Sequence, residues 1–292
     1  MHVASDCYLH GVKNSSIHDQ LPELLRIASE LGAEAGQLIA TRRREGISVA
    51  ATKSSSVDVV TEADRECEAF IRARLGELRP DDGFFGEESD ASATKSGITW
   101  VVDPIDGTVN YLYGLPNYAV SIAAVTGDPS IQPTEFEILA GAVVSPEQGE
   151  TYTAVAGGGA WRNGEPLQLG EGPEDLARTL VATGFSYTAA RRELQAQALL
   201  NVIGKVRDLR RLGAASLDLC GVATGQLDAY YEFGLSQWDW AAGALIAKEA
   251  GASVSGLDLA QREGRSSLVA GHPRIAAQLV DLLSEVTPQD LL

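Results

Sequence analysis

Histidine, cysteine and methionine are scarce in this chain, with four, three and one among 292 residues. Three of the histidines, His2, His10 and His18, fall before residue 20, which excludes a histidine-rich metal centre. The cysteines, Cys7, Cys67 and Cys220, are odd in number, and no two stand at metal-ligand spacing. A disulfide scaffold is therefore not expected, and a reducing cytoplasm is the compartment that fits. Positive charge is also short: 23 Lys and Arg face 40 Asp and Glu, a net charge of −17. So acidic a chain does not neutralise a phosphate backbone, which argues against direct nucleic-acid binding. No apolar run approaches the roughly 20 residues of a membrane helix. Residues 1–20 lack the continuous apolar core of a secretory signal. With nitrogen and sulfur ligands rare, carboxylates must hold any bound metal, and hard oxygen donors favour Mg²⁺ or Mn²⁺.

What the chain does have is length and pattern. It is long enough for one large domain or two intimate smaller ones, and its 45% hydrophobic content is ordinary for a globular core. Residues 1–20 show no periodicity and are expected to form an arm largely without fixed structure. Over 21–44, Leu24, Ile27, Ala28, Leu31, Ala35, Leu38 and Ile39 recur at helical spacing, which predicts an amphipathic helix. Thr61 and Asp64 have the spacing of a helix N-cap and its third residue, opening a helix to residue 78. Strands are predicted over 99–102, 118–125, 138–144 and 150–156, with turns at Gly157-Gly158-Gly159 and Asn163-Gly164. Beyond about residue 165, strands (180–183, 206–212, 227–232, 267–270) alternate with helices (191–203, 216–224, 238–250, 274–285). The chain thus divides into an α+β half, 21–165, and an α/β half, 166–292.

One segment carries chemistry on its face: Asp103-Pro104-Ile105-Asp106-Gly107-Thr108. An apolar strand delivers two carboxylates three residues apart, with Pro104 fixing the backbone between them. Gly107 permits a close backbone approach, and Thr108 brings a hydroxyl to where a helix could begin. Amides at a helix start attract an anion, while carboxylates beside it repel one unless cations lie between. That is the layout of a metal-bridged phosphate site. Further acids stand at Glu87-Glu88 after Gly86, at Asp239 after Trp238, and at Asp64. Taken singly, Glu87 and Glu88 fit a solvated turn, and Asp64, Asp106 and Asp239 fit helix caps. The weight lies in their coincidence.

Residues 100–113 (WVVDPIDGTVNYLY) and 238–252 (WDWAAGALIAKEAGA) resemble the two signature segments of the inositol monophosphatase family. The order and spacing of Asp64, Gly86-Glu87-Glu88, Tyr231-Glu232 and Trp238-Asp239 match as well, as does the hairpin from Pro146 to Gly164. The resemblance covers the chain from about Leu21 onward. It implies a layered αβαβα sandwich of the inositol monophosphatase and fructose-1,6-bisphosphatase type, with the active site between the two halves. It implies Glu87, Asp103 and the Ile105 carbonyl as ligands of one Mg²⁺, and Asp103, Asp106 and Asp239 as ligands of a second. Glu87 and Asp64 would share a weaker third ion, and Mn²⁺ would substitute. Thr108, hydrogen-bonded to Asp64, would orient the attacking water, giving Asp64, Glu87 and Thr108 catalytic roles. The Gly107 and Thr108 amides would bind phosphate. Asp106, the Ala215 amide and Glu232 would contact the substrate alcohol, with Asp239 close by at the departing oxygen. Lys53, ahead of Asp58, would be structural near the metals.

The resemblance further implies a cytoplasmic, lithium-sensitive homodimer that hydrolyses inositol monophosphate. Glu232 supports that substrate, because one carboxylate accepts from two neighbouring ring hydroxyls. Two departures bear on specificity: Ala214 replaces a common Ser or Thr, and Ser56 a common Pro. The competing substrates are histidinol phosphate, fructose 1,6-bisphosphate and 3′-phosphoadenosine phosphates. A second phosphate would call on Arg210 and Arg211, the paired cations nearest Ala215, unless these pair with surface acids. A binding role on the transcription machinery is the alternative of another class.

Overall fold

The computed structural model describes residues 15–46, 49–52, 59–129, 136–256 and 266–286. The Lys53 loop with Ser56 and Asp58, Cys7, and residues 1–14 of the predicted arm lie outside the described residues. The end of that arm, Ser15–His18, is one helical turn, α1.

Helix α2, Leu21–Glu45, is followed by the short strand pair β1 (Val49–Thr52) and β2 (Val59–Thr61) and by α3, Glu62–Leu78. Then come β3 (Gly83–Gly86), β4 (Ile98–Asp106), α4 (Thr108–Tyr113), β5 (Ala119–Thr126), β6 (Ile138–Ser145), β7 (Glu150–Val155), β8 (Gly159–Arg162) and β9 (Glu165–Leu167). Strands β3 to β9 form one seven-stranded sheet in sequence order. It is antiparallel throughout except for the parallel β3–β4 pair. The rest of the chain runs β10 (Leu180–Thr183), α5 (Ala189–Ile203), β11 (Asp208–Arg210), α6 (Ala215–Ala223), β12 (Ala229–Leu235), α7 (Gln237–Glu249), β13 (Ser253–Gly256), β14 (Ser266–Gly271) and α8 (Pro273–Val286). These strands make a second, five-stranded sheet in the order β11-β10-β12-β14-β13.

The layering follows from which faces are apolar. Helices α2 and α3 cover one face of the large sheet, burying Leu24, Ile27, Leu31, Ile39 and Ile71 against Trp100, Val102 and Ile122. Helices α6 and α7 fill the space between the sheets, and α5 and α8 cover the outer face of the small one. Strand alternation feeds both sides of each sheet: Val101 points into the inner core while Trp100 and Val102 point away from it. In β12, Tyr230 faces the inner core, and Tyr231 and Phe233 the outer one. All nine residues of α6 are buried, and α7 is rich in Ala and Gly, as suits helices wedged between two sheets. The result is an αβαβα sandwich, as expected.

Three differences from the predicted elements have physical reasons. The strand predicted over 206–212 is only Asp208–Arg210, an edge strand bonded on one side to β10. Strand β13, on the opposite edge, was not predicted, because Ser253–Gly256 carries a single large apolar residue. Strand β4 outruns its predicted end at 102 and carries both acids, because its register against β5 breaks between Asp103 and Asp106. Pro104 cannot donate to the ladder, and a bulge at this point re-aims the neighbouring side chains.

Candidate active site

The bulge in β4 builds the first part of the site. Ile105 N–H, turned out of the ladder, donates to Asp103 Oδ1 at 3.0 Å. Gly107 follows at φ 88°, a left-handed conformation that glycine adopts without strain. Space demands glycine too: a Cβ there would stand 2.8 Å from the Asn117 carbonyl and 3.2 Å from that of Gly213. Asn110 braces the same corner, its Nδ2 donating to the Asn117 carbonyl at 2.7 Å and the Leu212 carbonyl at 2.8 Å.

Three helix starts meet this corner. At α3, Asp64 closes a capping box: its Oδ2 accepts from Thr61 N at 2.8 Å and from Thr61 Oγ1 at 2.5 Å. The Thr108 hydroxyl lies 3.2 Å from Asp64 Oδ1 and 3.0 Å from the Ile105 carbonyl oxygen, so its single proton bridges the two segments. At α6, Asp106 Oδ2 accepts from Ser216 N at 2.7 Å and Ser216 Oγ at 2.5 Å, and its Oδ1 from Ala215 N at 3.2 Å. The Ala215 amide is therefore already donated to Asp106. At α7, Asp239 forms a second capping box, accepting from Ser236 N at 2.6 Å. The rings of Phe85 and Trp238 pack 5.2 Å apart and bring Glu87, two residues on in one segment, to Asp239 in the other.

Electrostatics mark these acids as one group. Burial, then the charges of Glu87, Asp106 and Asp239, hold Asp103 well above the usual carboxylate range. Asp103 also shares a hydrogen bond with Glu87. Burial, then Glu87 and Asp106, do the same to Asp239. Burial raises Asp106 to about 6 against the pull of its Ser216 and Ala215 bonds, and raises Asp64 to about 7 against its Thr61 bonds. Among the described residues no group of three acids, histidines or cysteines is arranged to hold a metal ion as it stands. These carboxylates are fastened to amides and hydroxyls instead. Their chemistry still fits a hard divalent cation, which would relieve the repulsion that raises them.

Glu232 stands midway along β12, its Oε2 accepting from Tyr230 Oη at 2.8 Å. Burial raises it to about 7, while Tyr230 and Arg211 pull it down. The predicted Arg210–Arg211 pair is split: Arg210 turns outward to Asp208 at 2.6 Å, and Arg211 turns inward to Glu232 and Asp218.

Sequence reasoning missed several members. Glu68 is buried, accepts from Glu88 N at 2.7 Å and fastens the Glu87-Glu88 turn. The available signal was its place one turn after Asp64 on the same face of α3. Asn110, Ser216, Tyr230 and the buried Asp218 had no spacing to betray them.

The chain is a layered αβαβα sandwich that gathers buried carboxylates beside helix starts. The chain belongs to the inositol monophosphatase family, whose sequence profile it matches over residues 20–287. It is 45% identical to the Mycobacterium tuberculosis protein called inositol-1-monophosphatase SuhB, over 91% of this chain and 95% of that one. It is 36% identical to the Escherichia coli protein called Nus factor SuhB, over 90% and 97%. The solved structure of Mycobacterium tuberculosis SuhB superposes with a TM-score of 0.75 at 41% identity, covering 90% of this chain and 96% of the other. The family is generally metal-dependent, and this chain is a phosphatase of that family. Among the described residues no helix is long and apolar enough to cross a membrane.

Proposed function

We propose that the chain hydrolyses inositol monophosphate to inositol and phosphate, with two to three Mg²⁺ ions held by Asp64, Glu87, Asp103, the Ile105 carbonyl, Asp106 and Asp239. Glu232 carries the substrate reading: a half-buried carboxylate, close enough to Asp106 for that charge to help raise its pKa, and an acceptor for neighbouring ring hydroxyls. The relative named inositol-1-monophosphatase supports it. Bound Mg²⁺ supplies Lewis acidity and a water of lowered pKa. Thr108, held between Asp64 and the Ile105 carbonyl, orients the attacking water in line with the phosphorus. The Gly107 and Thr108 amides receive the phosphate oxygens. Glu232 fixes the alcohol from the far side, and Asp106 and Ala215 exchange part of their mutual bond for its hydroxyls. The protein acts in the cytoplasm as a homodimer, and Li⁺ competes for the Asp239 position.

The decisive assay is a panel of phosphomonoesters at one Mg²⁺ concentration, containing inositol 1-phosphate, histidinol phosphate, fructose 1,6-bisphosphate and a 3′-phosphoadenosine phosphate. Inositol 1-phosphate gives the highest kcat/KM. A preference of about tenfold for another member, worth about 1.4 kcal/mol, overturns the substrate. The outward turn of Arg210 weighs against a bisphosphate, since it leaves Arg211 alone near the pocket. A second reading, binding to the transcription machinery, draws support from the relative named Nus factor. Asp103→Asn separates the two, because it abolishes hydrolysis and leaves a binding surface intact.

A further inference from the structure

Strands β10 and β12 run parallel with Thr183 opposite Tyr231, so Gly184 and Glu232 are the next pair along. Gly184 lies directly against the Glu232 carboxyl: a Cβ built on it would overlap both carboxyl oxygens and the carbon between them. The backbone at Gly184 is not left-handed, so an L side chain is excluded there by space alone.

Neither partner has room to retreat as a unit. The loop after Gly184 is tied down, with Ser186 N donating to Gln195 Oε1 at 2.8 Å and Arg192 Nε donating to the Ser186 carbonyl at 2.6 Å. Gln195 is 3% exposed, and its Nε2 donates to the Phe233 carbonyl at 3.1 Å. One buried amide thus fixes both the loop and the strand residue beside Glu232. What remains free to give way is the end of the Glu232 side chain, anchored by the bond from Tyr230 Oη at 2.8 Å.

We propose that Gly184 is a specificity-determining residue, because its missing side chain is the space in which the Glu232 carboxylate meets the substrate alcohol. The inference rests on the reading of Glu232 as the alcohol acceptor. An added methyl group pushes the carboxylate off its position while the fold, held by Gln195, stays. The change then falls on substrates with ring hydroxyls and spares the phosphate end.

The test compares kcat/KM for inositol 1-phosphate with that for p-nitrophenyl phosphate, under Mg²⁺, in the parent chain, Gly184→Ala, Glu232→Ala and the double variant. Gly184→Ala lowers the ratio of the two by about tenfold, chiefly through KM for inositol 1-phosphate. In the double variant Gly184→Ala adds nothing to Glu232→Ala, because the overlap is gone. If Glu232→Ala lowers the ratio and Gly184→Ala does not, the inference fails and the functional reading stands. If Glu232→Ala leaves the ratio unchanged, the reading of Glu232 fails first and takes the inference with it. Equal losses on both substrates, additive losses in the double variant, or an unfolded Gly184→Ala chain also overturn it, since each makes Gly184 a general structural residue.

Discussion

Asp103 in β4 and Glu232 in β12 both feel the charge of Asp106, yet their surroundings differ. Asp103, in the seven-stranded sheet, is raised by burial and then by the charges of Glu87, Asp106 and Asp239. Glu232, in the five-stranded sheet, meets a tyrosine hydroxyl and the Arg211 guanidinium, which pull against burial and the charge of Asp106. An acid among acids is a demand for an external cation. An acid already balanced by the protein keeps its lone pairs for a neutral, hydroxyl-rich partner. On the proposed reading this is a division of labour: Asp103 in β4 serves the reaction, and Glu232 in β12 serves recognition.

The strongest way to break that division is Asp103→Asn. It should lower kcat/KM by at least about a hundredfold on every phosphomonoester, measured at saturating Mg²⁺. A loss confined to inositol 1-phosphate would place recognition at the wrong end. Glu232→Gln should lower kcat/KM for inositol 1-phosphate by about tenfold and shift the substrate ranking. An equal loss across all substrates would merge the two roles.

The third effect is on stability. Without cations Asp64, Asp106 and Glu232 stand at about 7, about 6 and about 7. In the unfolded chain carboxylates titrate near 4, so the folded state holds extra protons. Their stabilisation is full below about pH 4 and is lost as pH rises through about 6 to 7. The chelator-treated protein should therefore melt lower at pH 8 than at pH 5, by at least about 3 °C. Mg²⁺ should raise the midpoint more at pH 8. A flat or rising profile would contradict the crowding of acids around Asp103. The smallest effect belongs to Thr61→Ala, which removes the α3 cap and costs about 1 kcal/mol by denaturant titration. It also removes one of the two bonds to Asp64 Oδ2 and leaves the one from the residue 61 backbone N–H, so the Mg²⁺ dependence of activity should shift with it.

Much of this was legible beforehand because periodicity and spacing encode it. The stripe of α2, the Thr61–Asp64 box and the DPIDGT turn each follow from neighbours in sequence. A cap and a place among the gathered acids are not alternatives at Asp64 and Asp239, since each closes a capping box within reach of the charge of Glu87. What was not legible depends on contacts distant in sequence. Ser216 meets Asp106 across 110 positions, and Asn110 meets Leu212 across 102. Gly184 shows why absence is hardest to read, because only the fold reveals what fills the space. Edge strands such as β13 escape for another reason: with one side unpaired, they need little apolar pattern.

Helix α7 is fastened at both ends, by Asp239 on Ser236 N at one and by Glu249 on the Gly157 and Gly159 amides at the other. Between them it is buried on nearly all sides. Its amide protons are therefore out of reach of solvent unless both sheets part together, so deuterium should enter this helix last. The segment that delivers Asp239 thus keeps time with global unfolding.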